Sequence, residues 1–185
     1  MAAVKPLRGY HPAMDEGPRR RPQQQLAVVG GAQCSEPIWQ IARLVGEHIA
    51  RSGAILLCGG RGGVMAAASE GARSQGGRVI GLLPGGNAAE SPPNPHLSAT
   101  IFTGMGQARN QILVLSAGAV VAVGGGWGTL SEIALALKHQ VPVVTLESWQ
   151  LSRPDGLPEP LLHSSASPEG AVRLALELAE KLSSP

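Results

Sequence analysis

Four short apolar runs in this chain each stop at a glycine cluster, and that rhythm limits what the chain can fold into. Leu26 to Val29 ends in Gly30-Gly31, Ala54 to Cys58 runs into Gly59-Gly60, Arg78 to Leu83 closes on Pro84-Gly85-Gly86, and Ala119 to Val123 meets Gly124 to Gly126. Continuous apolar runs of this length, without polar alternation, read as strands buried on both faces. Ala99 to Phe102 and Val141 to Leu146 add two more, for six expected strands. The segments between most of them read as helices. Ser35, with Pro37 in the first turn, opens one that runs to about Arg51. Others cover about Val64 to Ser74, Gln107 to Ser116 and Leu130 to His139, and Ser167-Pro168 starts a terminal helix to about Leu182. Alternating strands and helices predict a single doubly wound α/β domain: a mostly parallel sheet with helices on both faces, in three layers. Residues 85–97 form a long polar loop, of a length that is usually functional or mobile in compact domains.

Composition narrows the class. The chain has 185 residues, 43% of them hydrophobic and 15% charged, which suits one soluble domain with its own core. Aromatic residues make up only 3%, so the core must be built from Val, Leu, Ile and Ala. The same scarcity argues against a single-strand nucleic-acid platform, which needs exposed rings. Residues 1–25 hold five basic and two acidic side chains, a local charge of +3; with a net charge of +2, the remainder carries −1. That body has no bulk charge to hold nucleic acid or an acidic membrane. The first segment, rich in proline and charge, reads as a disordered basic tail (1–25) ahead of the domain (26–185), with a basic arm for a partner as the alternative. It has no apolar signal-peptide core. No apolar run is long enough to suggest a transmembrane helix. Cys34 and Cys58 show neither metal-ligand nor CxxC spacing, so two reduced thiols, a cytoplasmic location, no metal site and no required cofactor are expected.

In a doubly wound sheet the ligand lies beyond the carboxyl ends of the strands, where these glycines fall. The candidates are Gly30 and Gly31, the loop Gly59, Gly60, Arg61, Gly62 and Gly63, then Asn110, and the turn Gly125, Gly126, Gly128 and Thr129. Glycine lets a phosphate approach the backbone, and the helix N-termini that follow offer unpaired N–H groups and partial positive charge. No stretch fits the P-loop pattern. The spacing also departs from G-x-G-x-x-G, with no acidic residue after the second strand to hold a ribose, which argues against a classical ATP or NAD site. Thr129 to Glu132 has the form of a capping box, in which Thr129 and Glu132 bond each other's backbone N–H. The alternative is chemical. Leu130, Ile133, Ala134 and Leu137 share a helical stripe, and Glu132 lies roughly opposite, outside the core and beside the crevice. Arg109 also stands in a first helical turn, where the dipole disfavours a cation by about 0.3–1 kcal/mol, so a fork for an anionic ligand explains it better than a surface salt bridge.

The segments GGRGGVM (59–65), TGMGQARN (103–110) and GGGWGTLSE (124–132) resemble the Lonely Guy (LOG) family, once labelled lysine decarboxylases, and more closely its branch that includes the molybdenum cofactor carrier protein. The resemblance covers roughly residues 26–183. It implies a Rossmann-like fold, a homodimer or higher homo-oligomer, and a phosphorylated, nucleotide-like ligand. LOG enzymes are phosphoribohydrolases that release the base and ribose 5-phosphate from nucleoside 5′-monophosphates. By motif, Arg109 and Glu132 correspond to their catalytic pair, and Gly125, Gly126, Gly128 and Thr129 to the phosphate turn. Gly124 stands where the enzymes have proline, and Asn110 where they usually have lysine; both changes fit the carrier branch. Two readings of one pocket result. In one it binds or carries a nucleoside monophosphate or a molybdenum cofactor. In the other, Glu132 stabilises an oxocarbenium-like transition state during hydrolysis.

Overall fold

The computed structural model describes residues 23–183, so the predicted tail up to residue 22 lies outside the described residues. Gln25, assigned to the tail from sequence, instead opens the first strand. The element order is β1 (Gln25–Gly30), α1 (Glu36–Arg51), β2 (Ile55–Cys58), α2 (Val64–Ser74), β3 (Val79–Leu83), β4 (Ala99–Phe102), α3 (Arg109–Leu115), β5 (Ala119–Val123), α4 (Trp127–Lys138), β6 (Val143–Leu146), β7 (Leu162–Ser164) and α5 (Pro168–Ser183). A short 3-10 turn, Gly106–Ala108, leads into α3.

All strand pairs are parallel, in the order β4-β3-β2-β1-β5-β6-β7. This is the Rossmann-like, doubly wound arrangement. Chain direction across the sheet reverses between β1 and β5, which places the switch-point crevice between Gly30 and Gly124. Successive strand residues pack on opposite sides, as a pleat requires. Leu26, Val28, Leu56, Cys58, Val121 and Val123 face α1, α2 and α5. Ala27, Val29, Leu57, Val120 and Ala122 face α3 and α4.

Two expectations need correction. A seventh strand, β7, pairs with β6 at the sheet edge; its three residues, Leu162-His163-Ser164, are too few for a pattern. The connection β3–β4 holds no helix, as the 85–97 loop reading expects, and β6–β7 holds none either; both still make parallel crossovers. The second correction concerns α4. It starts at Trp127 with Gly126 as N-cap, and no side chain caps it. Thr129 is therefore inside the helix, and the capping box does not form. The buried stripe is Thr129, Glu132, Ile133 and Ala136, so Glu132 is on the inner face and the predicted stripe was misplaced, with Ala134 exposed. Starting the helix early brings Thr129 and Glu132 round to the sheet at i, i+3 spacing.

Candidate functional site

The site grows from β2, α3 and α4 at the carboxyl edge of the sheet. The buried face of α3 carries Arg109, Asn110, Leu113 and Val114. The two aliphatic residues anchor the helix in the core, and one turn earlier the same face turns Arg109 inward. Its guanidinium lies over Gly59, at the end of β2. A Cβ there would come within 2.7 Å of Nη2 and 2.8 Å of Met65 Sδ, so a larger residue would displace the ends of both side chains. From α4, Glu132 approaches, with Oε1 3.6 Å from Arg109 Nη1. Both residues are only 8% exposed.

The pair is close but not hydrogen-bonded. Arg109 Nε and Nη1 are buried without a partner, as is Asn110 Oδ1 on the same helix face. Buried polar groups are normally satisfied, and each exception costs about 1–3 kcal/mol. Burial outweighs attraction on both partners. It pushes the Glu132 carboxyl up to about 7 against the opposing pull of Arg109. It also lowers Arg109, and the Arg61 charge adds to that, while Glu132 and Cys58 oppose it. Burial likewise raises the Cys58 thiol, which is in no disulfide and takes a hydrogen bond from the Gly60 N–H at 3.4 Å.

The turn 124–126 is the second half of the site. Gly124 and Gly125 have φ of +54° and +98°, a region that glycine enters freely, and the Thr129 side chain lies against Gly125. Two side chains after β6 brace this turn, and sequence reasoning missed both. Ser148 Oγ donates to the Gly124 carbonyl, and Trp149 Nε1 donates to the Gly126 carbonyl at 3.2 Å. No side chain caps α4, so the first N–H groups of the helix have no side-chain partner. The signal for Ser148 and Trp149 was positional, because any residue just past β6 sits at the same edge.

The other glycine candidates are placed differently. Gly30 and Gly31 are taken up by packing. A Cβ on Gly30 would strike Val64 at 2.5 Å, and the Gly31 carbonyl accepts the Val64 N–H at 3.0 Å. That bond satisfies the first N–H of α2. Gly60 and Arg61 are held by Asn94 of the 85–97 loop, whose N–H donates to the Gly60 carbonyl at 2.9 Å and whose Nδ2 donates to the Arg61 carbonyl at 3.2 Å. Gly62 and Gly63 lie against Ala32 of the first turn. The Arg61 side chain is exposed and joins the buried pair only through its field. Gly126 and Gly128 are exposed at the mouth of the turn. Among the described residues no group of three metal-ligating side chains occurs, and no helix is long and apolar enough to cross a membrane.

Comparison with known proteins agrees with this fold. The molybdenum cofactor binding protein of the phototrophic bacterium Rippkaea orientalis is similar at 37% identity over 86% of this chain and 99% of that one, with a TM-score of 0.78. The molybdenum cofactor carrier protein of Chlamydomonas reinhardtii matches at 37% identity with the same coverage and a TM-score of 0.75. An uncharacterised protein of Archaeoglobus fulgidus is 46% identical over 123 residues, 66% of this chain and 80% of that one. The resemblance read from three short motifs thus extends through the fold. The SLOG cluster4 family model matches residues 23–177, from β1 into α5, and the chain belongs to that family.

Proposed function

We propose that this protein binds a phosphorylated, nucleotide-like ligand at the carboxyl edge of β1, β2 and β5 and carries it in the cytoplasm, with a molybdenum cofactor as the favoured cargo. The observation that carries this reading is Arg109: a buried guanidinium with two nitrogens unpartnered beside a carboxyl that does not bond it. A site that leaves such donors unpaired has a place for ligand oxygens. The braced 124–126 turn suits a terminal phosphate, and the two solved relatives named for the molybdenum cofactor support the choice of cargo. In this reading Arg109, Gly125, Gly126, Gly128 and Thr129 hold the ligand, Gly59 makes room for Arg109, and the packed turns of Gly30, Gly31, Gly60, Gly62 and Gly63 shape the wall with Arg61 at the rim.

The LOG-type reading, hydrolysis of a nucleoside 5′-monophosphate, has one observation in its favour. Glu132 is a buried carboxyl poised near 7, where it can ionise beside a reacting sugar. Incubating the purified protein with AMP and other nucleoside monophosphates separates the two. The carrier reading expects retention of ligand without release of free base or ribose 5-phosphate. Release that disappears in Glu132→Gln makes the protein a hydrolase instead.

A homo-oligomer completes the proposal. Between His96 and Lys138 the only charged side chains are Arg109 and Glu132, both buried. Ile112 and Leu115 of α3, with Met105 before it and Trp127 of α4, remain exposed. A second copy can cover that uncharged face without desolvating a charge.

A further inference from the structure

We infer that Asn110 reads a hydrogen-bond donor on the ligand, so that the deep end of the site selects a molecule presenting both an acceptor oxygen and an adjacent N–H or O–H, rather than a bare oxyanion. The inference deepens the ligand-binding reading above and rests on it. Its basis is the kind of group left unsatisfied. Arg109 can only donate, and its Nε and Nη1 call for acceptors. Asn110 Oδ1 can only accept, and it too is buried without a partner. The two residues are adjacent on the inner face of α3, 8% and 5% exposed. An anion such as sulfate answers the arginine and leaves the amide oxygen orphaned. A sugar diol, or a heterocycle edge with neighbouring amino and oxo groups, answers both. Discrimination of this kind is strong, because the wrong ligand leaves a buried group unpaired.

The decisive variant is Asn110→Leu, close to the original in size and without the orphan. Where the amide is kept unpaired for a ligand, removing it raises the melting temperature of the ligand-free protein, by about 2–4 °C. Where Asn110 holds the fold together, the melting temperature falls, and that result overturns the inference. Binding is then measured with sulfate, AMP and molybdenum cofactor released from a molybdoenzyme. Sulfate binds wild type and variant alike, while whichever of AMP or the cofactor binds wild type binds the variant about tenfold more weakly. Asn110→Asp, which retains an acceptor, preserves that binding. Equal affinity of Asn110→Leu for the donor-bearing ligand overturns the inference. If neither AMP nor the cofactor binds wild type, the functional reading fails by itself, and the melting temperature still decides the role of Asn110.

Discussion

The two faces of the sheet are built for different ends. On one, α1, α2 and α5 cover the strands completely, and α1 and α2 touch backbone to backbone. A Cβ on Gly46 would lie 1.9 Å from the Ala68 carbonyl oxygen, and one on Gly71 at 1.9 Å from that of Arg43. The buried charge on this side is satisfied: Glu47, 7% exposed, pairs with both Arg43 and Arg51. On the other face two helices, α3 and α4, cover the strands. Arg109 and Glu132 are turned inward and Arg109 is left incompletely bonded, while Ile112, Leu115 and Trp127 face out. The first arrangement satisfies what it buries. The second leaves buried groups unsatisfied, as binding sites do and stable cores do not.

The contrast breaks most severely at the helix–helix contact. Gly46→Ala forces α1 from α2 and is expected to destabilise the fold by about 3 kcal/mol, read in urea unfolding. An equal substitution on the exposed side of α4, Ala134→Gly, costs only about 1 kcal/mol. If Gly46→Ala is neutral, the first face is not the tightly packed one.

A pH series sharpens the other side. The Glu132 carboxyl is raised from 4.5 to about 7, so the folded protein holds this proton more tightly than the unfolded chain does. Stability from this group is full below about pH 4.5 and is lost as the pH climbs to about 7, a change on the order of 3 kcal/mol. Glu132→Gln cannot ionise. It should match wild type near pH 5 and unfold at higher denaturant concentration near pH 8. A difference between the two that does not grow with pH removes the strained carboxyl from the account.

The mildest change tests the outer surface. Leu115→Glu places a charge on the exposed apolar face of α3, leaves the monomer fold within about 0.5 kcal/mol of wild type, and is expected to shift the proposed oligomer to monomer in light scattering. A wild type that is already monomeric at high concentration would show that the face has another use.

Much of the architecture was legible because it depends on local pattern. Val64–Ser74, Ala99–Phe102 and Ala119–Val123 have the same ends in the structure as in the sequence. Continuous apolar strands, glycine stops and helical stripes report burial and turning one segment at a time. β7 was not legible, since three edge residues held by pairing with β6 carry no periodicity of their own. The motifs also singled out Arg109 and Glu132, and the structure brings Glu132 Oε1 to 3.6 Å from Arg109 Nη1.

What the sequence determined by itself was therefore the parallel, doubly wound sheet, the glycine turns at its carboxyl edge and the two charged residues beside them. Only the tertiary structure decided how those parts are used. It started α4 at Trp127 and buried Glu132, where the local pattern T-L-S-E had pointed to an exposed cap. It packed Gly30 and Gly31 against the second turn, and it engaged the carbonyls of Gly124 and Gly126 through Ser148 and Trp149. It also left Arg109 Nε and Nη1 and Asn110 Oδ1 without a hydrogen-bond partner. The reason is physical: a hydrogen bond or a burial cost depends on what lies opposite in space, and residues separated by tens of positions along the chain supply it.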